Sequence, residues 1–288
     1  AADGGVIYIA SGSGATQISA KRCRFENNNA TDNESDRWGD GRANGGVVFY
    51  EGILDQFSIE SCDFIGNQAD YIGSVITCGT SSSPEIRNLV ISDSSFVGNV
   101  AQYGAVTAYG GANVTLQNSV IENNEAMIQC AFGYMKQRNT WEVDDCIFRS
   151  QMAGSLNTAK GAAFFLGETS DSSNSISVSN SLFDGNFNDA AYDDAHGGAI
   201  YANSAGSVIL KNCNFSSNSG DSGGALYVAE SPVNISGCRF VNNSCAEDGG
   251  GAIYLAGNNI ANISSSVFLG NSAPGSLMGG ALFLSSGD

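Results

Sequence analysis

The sequence is poor in proline, in basic residues and in histidine: its 288 residues include 3 Pro, 12 Lys and Arg together, and 1 His. Against these stand 29 Asp and Glu, and the formal net charge of −17 argues against nucleic acid and anionic membrane surfaces as partners. No apolar run approaches the roughly 20 residues of a membrane helix, so we expect no membrane insertion by this segment. The 42% of hydrophobic residues suffice for a sizeable core.

Two short motifs recur in alternation. Repeats of this kind indicate the overall fold more reliably than any single predicted strand or helix. The first is a pair of small residues followed by apolar residues and often an aromatic one. It begins at Gly4, Gly45, Gly197, Gly223, Gly250 and Gly279, with weaker copies at Gly73, Gly104 and Gly161. The second is Phe-x-x-Asn, with degenerate copies at Ile121/Asn124 and Phe148/Gln151.

The spacing of the second motif indicates a solenoid. Successive Asn positions are 25 to 39 residues apart, so one bare coil takes about 25 residues and longer coils carry inserted loops. Short β-branched runs such as 114–116 and 208–210 predict strands, and no sustained 3.6-residue period predicts a helix. A unit of this size suits neither a hairpin arm nor a βαβ unit. We predict an all-β chain, with residues 1–288 forming one parallel β-helix of about nine coils.

Stacked coils should place equivalent residues on one another. We expect phenylalanine to stack inside the solenoid and asparagine to stack at a buried bend, where an amide ladder satisfies backbone and side-chain groups together. The predicted ladder comprises Phe25, Asn28, Phe64, Asn67, Phe96, Asn99, Phe183, Asn186, Phe215, Asn218, Phe240, Asn243, Phe268 and Asn271. The Gly pairs allow tight turns with positive φ and close approach of adjacent coils.

The alternation of Gly-Gly-Ala-Ile with Phe-x-x-Asn, densest over 197–283, resembles the polymorphic outer membrane protein (Pmp) repeat family. The resemblance implies a right-handed parallel β-helix on a cell surface or in an extracellular assembly, and the family's passengers are associated with adhesion. Because the chain begins and stops inside a repeat unit, we expect it to be a segment of a longer protein.

Five cysteines share one place, two residues before the Phe of their coil: Cys23, Cys62, Cys146, Cys213 and Cys238. Serine fills that place in other coils. Stacked Cα atoms lie within disulfide range, so Cys23 with Cys62 and Cys213 with Cys238 are candidate disulfides. The alternative is a buried free thiol on the inward face. Cys78, Cys130 and Cys245 lie outside this column and have no predicted pairing. No Cys-x-x-Cys occurs and His196 is alone, which argues against zinc.

Asn-x-Ser/Thr sequons are candidate glycosylation sites in a secreted protein of eukaryotic origin. They occur at Asn29, Asn33, Asn113, Asn214, Asn234, Asn242 and Asn262. The alternative is compositional, because a chain this rich in Asn and Ser forms sequons by chance.

An enzymatic alternative is a polysaccharide lyase or hydrolase acting on a cell-wall or matrix glycan, which requires converging carboxylates. Acidic pairs occur at Asp144-Asp145 and at Asp193-Asp194 near His196. We expect Ser179-Asn180 opposite the first pair on the next coil, so the carboxylates do not form a column. The prediction is therefore no enzyme and no cofactor, with weak Ca²⁺ binding as a lesser alternative.

The longest inserted loop, about 30–44, contains Arg37, Trp38 and Arg42, a plausible anchor for a partner. The alternative is that Trp38 folds back to cover the core. The sequence thus favours a non-catalytic extracellular rod that acts as a structural or adhesive component of a cell surface or filament. Its partners would be a protein or glycan there, or further copies of the chain, because open solenoid ends expose unpaired strand edges.

Overall fold

The computed structural model describes residues 5–9, 17–30, 44–50, 54–78, 86–154, 159–167, 174–188, 195–257, 259–274 and 278–285. In that part of the chain every named element is a β-strand, and the strands form four parallel sheets. No helix there has the length and apolar character needed to cross a membrane. The predicted all-β parallel β-helix is confirmed, because each coil passes through the sheets in turn and the next coil pairs beside it.

Sheets 1 and 2 are the first two sheets that each coil passes through. In sheet 1 the strands are Ile7–Ile9, Val48–Tyr50, Ile76–Cys78, Val106–Tyr109, Gly133–Lys136, Phe164–Leu166, Ile200–Asn203, Leu226–Ala229, Ile253–Ala256 and Leu282–Ser285. In sheet 2 they are Gln17–Lys21, Gln56–Glu60, Asn88–Ser92, Asn113–Gln117, Thr140–Asp144, Ser175–Ser179, Ser207–Lys211, Val233–Ser236 and Ala261–Ser264. Sheet 1 follows the Gly-Gly motif, and sheet 2 contains the β-branched runs.

Sheets 3 and 4 flank the Phe-x-x-Asn motif. Sheet 3 holds Arg24–Glu26, Asp63–Ile65, Ser95–Val97, Val120–Glu122, Ile147–Arg149, Leu182–Asp184, Asn214–Ser216, Arg239–Val241 and Val267–Leu269. Sheet 4 holds Asn29–Ala30, Gln68–Ala69, Val100–Ala101, Glu125–Ala126, Met152–Ala153, Ala159–Lys160, Phe187–Asn188, Ala195–His196, Ser219–Ser222 and Ser244–Gly249. The motif phenylalanine is the middle residue of its sheet 3 strand, and the asparagine lies at the bend before sheet 4.

One hydrophobic core runs along the inside of the solenoid, because alternate strand residues point inward. In sheet 2, Val114 and Leu116 are buried while Thr115 between them is half-exposed. Within this core, Trp141 and Phe132 meet edge to face with ring centroids 6.3 Å apart. Each such buried side chain contributes roughly 1.5–3 kcal/mol, so the core provides most of the stability.

The corners between sheets use left-handed backbone conformations. Asn118 (φ 49°) turns the chain from sheet 2 into sheet 3, and Asn123 (φ 54°) turns it from sheet 3 into sheet 4. Small polar residues or glycine occupy these two corners in most other coils, for example Asp93 and Gly98. Asn and Asp tolerate this conformation better than other residues with a side chain, so the richness in Asn and Gly follows from the corners.

The Gly-Gly motif serves two separate needs at the corner before sheet 1. Gly223 has φ 63°, which a residue with a side chain rarely adopts. Gly224 has no such conformation, but a Cβ atom there would lie 2.3 Å from the carbonyl oxygens of Gly251 and Ser244. The first glycine therefore allows the turn, and the second allows the next coil to approach.

Candidate functional site

The asparagines of the second motif form a continuous interior row, which we call the amide column. It comprises Asn28, Asn67, Asn99, Asn124, Gln151, Asn186, Asn218, Asn243 and Asn271. Asn67 shows the pattern: its Nδ2 donates to Asn99 Oδ1 at 2.9 Å and to the carbonyl oxygen of Phe25 at 3.0 Å. Its backbone N–H donates to the same Oδ1 at 3.0 Å. Each amide thus binds the coils on both sides of it.

The motif phenylalanines stack beside the amide column. Phe183, Phe215 and Phe240 lie nearly parallel, with successive centroids 4.6 and 4.8 Å apart. The same stacking joins Phe25 with Phe64, Phe64 with Phe96, Phe148 with Phe183, and Phe240 with Phe268. At Ile121, which interrupts the row, Phe132 contacts the rings of Phe96 and Phe148 edge to face from its position just before the sheet 1 strand Gly133–Lys136. The row of phenylalanine rings therefore packs the interior of the solenoid.

The candidate disulfides Cys23–Cys62 and Cys213–Cys238 are not formed in the structure, in which all eight cysteines are free thiols. The sulfurs take part in backbone hydrogen bonds instead. Cys213 Sγ donates to the carbonyl oxygen of Lys211 at 3.3 Å, and Cys238 Sγ accepts the N–H of Cys213 at 3.4 Å. Likewise, Cys62 Sγ accepts the N–H of Cys23 at 3.4 Å.

Serine makes the same contacts where it replaces cysteine. Ser94 Oγ donates to the carbonyl oxygen of Ser92 at 2.7 Å and accepts the N–H of Cys62 at 3.1 Å. A thiol and a hydroxyl are therefore interchangeable at this corner, since both can donate within their own coil and accept from the preceding coil. The alternative expectation, a free thiol on the inward face, describes this column.

The remaining cysteines lie in three different surroundings. Cys78 is in the main core, Cys130 packs with Tyr134 on the outer face of sheet 1, and Cys245 is buried in sheet 4. Burial raises the pKa of the Cys130 and Cys245 thiols. Within the described ranges, no group of three or more His, Cys, Asp or Glu could hold a metal ion.

The Asp144-Asp145 pair is exposed at the corner between sheets 2 and 3. As expected from the spacing, Asp144 pairs in register with Ser179 of the next coil. Asp144 Oδ1 accepts hydrogen bonds from Ser179 Oγ at 2.7 Å and Asn180 Nδ2 at 2.8 Å, and these bonds lower the pKa of the carboxyl. The next coil therefore places hydrogen-bond donors opposite Asp144.

The second acidic pair, Asp193-Asp194, lies outside the described residues. His196, which follows it, stacks its ring on Tyr227 with centroids 4.6 Å apart. Sequence reasoning missed two carboxylates nearby, Asp221 and Asp248, which lie on consecutive coils. Asp221 Oδ2 accepts the N–H of Ala195 at 3.0 Å, and Asp248 Oδ2 accepts from Ser222 Oγ at 2.7 Å. Each carboxylate thus anchors a neighbouring coil through one oxygen.

Two further rows of equivalent residues were not predicted. At the corner between sheets 1 and 2, Asn139 Oδ1 accepts the N–H of Ala112 at 2.8 Å, and the N–H of Asn139 donates to Asn174 Oδ1 at 2.9 Å. On the outer face of sheet 1, aromatic rings stack with centroids 5.0 to 5.3 Å apart. This row comprises Tyr134, Phe165, Tyr201, Tyr227 and Tyr254. Its sequence signal was the aromatic residue that ends the Gly-Gly motif.

The sequons differ in accessibility. The exposed ones are Asn29, Asn113, Asn234, Asn242 and Asn262. Asn214 is half-buried in sheet 3, and its Oδ1 atom is shielded from solvent. Asn33 lies outside the described residues, as do the candidate contact residues Arg37, Trp38 and Arg42.

Comparison with known proteins gives one match. A family model described as a right handed beta helix region matches residues 130–287, more than half of the chain. No curated protein and no solved structure matches.

Proposed function

The chain belongs to the right-handed β-helix family, and on that premise we propose that it is a non-catalytic rod. In this proposal the rod acts as a structural or adhesive component of a cell surface or an extracellular filament. Its partner is a protein or a glycan at that surface.

The proposal rests on one observation: the polar residues that recur in every repeat form hydrogen bonds between adjacent coils. The amide column bonds each coil to its neighbours, and the serine and cysteine column does the same at the previous corner. Polar groups buried in this way stabilise and align the coils. A repeat whose shared positions are all used to extend a stack is suited to making a rod, while its outward positions and loops vary.

The finer assignment follows from the repeat motif. The alternation of Gly-Gly-Ala-Ile with Phe-x-x-Asn supports a Pmp-type repeat protein, and therefore an extracellular location. The net charge of −17 supports a partner that is neutral or basic, because polyanionic glycans would be repelled.

A polysaccharide lyase or hydrolase is the second candidate, and Asp221 and Asp248 on consecutive coils are the feature that favours it. Acid–base cleavage of a glycan needs two carboxylates with free reach to one bond. Here one oxygen of each is bonded to an adjacent coil, which favours an anchoring role.

The test combines turnover with binding. The chain is incubated with a panel of neutral and acidic polysaccharides between pH 5 and 9, and reducing ends and unsaturated products are measured. We expect no product, together with saturable binding to intact cells or extracellular matrix. Product release that disappears in the D221N/D248N variant would overturn the proposal in favour of the enzyme.

A further inference from the structure

We propose that the middle of the outer face of sheet 3 is a docking surface for a basic protein that presents an aliphatic patch. This inference rests on the proposed function and names the surface and the chemistry of its partner. The surface centres on Val120, Ile147 and Leu182, which pair in register on three consecutive coils and which we call the aliphatic stripe. They face solvent because the residue that follows each of them points into the core.

The aliphatic stripe departs from the pattern of its own sheet. The same outward position holds polar residues on both sides of the stripe, namely Ser95 on the coil before and Asn214 on the coil after. Val120 is 36% exposed, and Ile147 and Leu182 are partly exposed. A contiguous apolar patch with a polar surround is typical of a protein interface, whereas isolated exposed apolar residues are ordinary.

Two more apolar residues lie on sheet 4, beyond the charged row of Glu122, Arg149 and Asp184 that separates them from the aliphatic stripe. Met152 and Phe187 are the outward residues of the same two coils as Ile147 and Leu182, and they pair in register with each other. Both are partly exposed. A large sulfur-containing side chain and an aromatic ring are residue types that interfaces favour.

Acidic groups border the aliphatic stripe on both sides. Asp144 and Asp145 are exposed at the corner before sheet 3. On the other side, Glu122 and Asp184 lie one on each side of Arg149, whose guanidinium is 3.8 Å from the Glu122 carboxylate and 3.7 Å from that of Asp184. One guanidinium shared between two carboxylates leaves this side with a net negative charge, and Asp144 and Asp145 add two more carboxylates on the other side, so the border attracts basic groups around an apolar contact.

The negative border also decides against a second copy of the chain as the occupant. Two copies that met stripe to stripe would bring their carboxylates together, and each copy carries a net charge of −17. Like charges facing one another across an interface oppose association. A partner with lysine or arginine around an aliphatic centre satisfies both features of the surface.

The test uses a synthetic amphipathic helix of 18 residues with leucine along one face and lysine on both flanks. Its binding to the chain is measured by fluorescence anisotropy in 0.3 M NaCl, where long-range attraction is screened to a few ångströms. We expect the I147S/L182S variant to bind at least tenfold more weakly. The matched control is Ile209→Ser, which removes a 40% exposed aliphatic residue from the outer face of sheet 2 and should change binding less than twofold.

Serine should be tolerated at the stripe because Ser95 occupies the same position, and far-UV circular dichroism with thermal melting checks this. Asp184→Asn should weaken binding and reduce its salt dependence, and the same helix with glutamate for lysine should not bind.

Equal binding of I147S/L182S and the unaltered chain would overturn the proposal. So would a dimer in sedimentation that I147S/L182S abolishes, which would assign the surface to a second copy. Neither result bears on catalysis, so the polysaccharide assay tests the proposed function separately.

Discussion

Asn218 Oδ1 accepts two hydrogen bonds from Asn186 of the preceding coil, from its backbone N–H at 3.0 Å and from its Nδ2 at 2.9 Å. One side-chain oxygen therefore satisfies two buried donors of a neighbouring coil. Asn218 Nδ2 also donates to the carbonyl oxygen of Phe183 at 3.0 Å. Because the next coil treats Asn218 in the same way through Asn243, loss of any one amide affects three coils.

Replacing Asn218 with leucine should destabilise the fold strongly. Two donors of Asn186 and the carbonyl oxygen of Phe183 would lose this partner in the interior, and each such loss costs about 1–3 kcal/mol. We expect the free energy of unfolding in urea to fall by about 4 kcal/mol. The matched control is Asn234→Leu at an exposed position of sheet 2, which should change it by less than about 0.5 kcal/mol. Similar losses in both variants would contradict the role of the column.

Glutamine at position 218 should retain part of the stability, because the amide column already contains one glutamine. Gln151 Oε1 accepts from Asn124 Nδ2 at 3.0 Å, and Gln151 Nε2 donates to the carbonyl oxygen of Ile121 at 2.8 Å. We expect Asn218→Gln to retain at least half of the stability that Asn218→Leu loses, measured by the same urea titration. A glutamine variant as unstable as the leucine variant would show that the column depends on side-chain length.

The two glycine functions can be separated by substitution. Gly224→Ala places a Cβ atom 2.3 Å from two backbone oxygens of the neighbouring coil, and backbone cannot rotate away as a side chain can. We expect a loss of about 3 kcal/mol in the free energy of unfolding. Gly98→Asn is the control: nothing lies within 4 Å of a Cβ atom there, and Asn123 holds the equivalent corner with positive φ. It should cost less than about 1 kcal/mol. An equal cost for both would refute close approach as the reason for the second glycine.

The fold was predictable because, in a solenoid, residues that are one repeat apart in the sequence lie beside each other in adjacent coils. Phe215 and Phe240 are one period apart in sequence and pair directly in sheet 3, so alignment of the repeats gives the register without further information. Where the period is interrupted, prediction failed. The Asn139 and Asn174 corner was missed because Ala112 holds that place in the preceding coil.

Features that depend on more than register could not be predicted. A cysteine and a serine that share one column give the same sequence pattern whether the thiols are oxidised or act as hydrogen-bond groups, as Cys62 and Ser94 do. The aliphatic stripe could not be predicted from the sequence either. Ile147 next to Phe148 reads as a buried run until the strand is known to alternate, and only then does Ile147 face outward.

If the chain is secreted by a eukaryotic host, its sequons should be used unequally. Asn234 and Asn262 are exposed and pair in register, which puts them about 4.8 Å apart on adjacent strands. Two glycans at neighbouring positions this close crowd each other, so we expect molecules that carry one of the two to outnumber molecules that carry both. Exposed Asn113 should be modified, and half-buried Asn214 should not be. Glycopeptide mapping by mass spectrometry gives the occupancies, and full modification of both Asn234 and Asn262 in the folded protein would refute the crowding argument.

Stability should fall at alkaline pH because of Cys146. Burial raises the pKa of this thiol to about 12 in the folded chain, against about 8.5 when the chain is unfolded. Above pH 9 the unfolded state therefore releases a proton that the folded state keeps, and the free energy of unfolding falls by up to about 1.4 kcal/mol per pH unit until the folded thiol also ionises. Below about pH 7 the thiol is neutral in both states and contributes almost no slope. Cys146→Ser should remove this part of the decline, and Ser119 and Ser181 at the equivalent place in the adjacent coils indicate that the variant folds. Urea titrations of both proteins at pH 8, 9.5 and 10.5 measure the difference, and parallel declines would show that the thiol is accessible to water in the folded state.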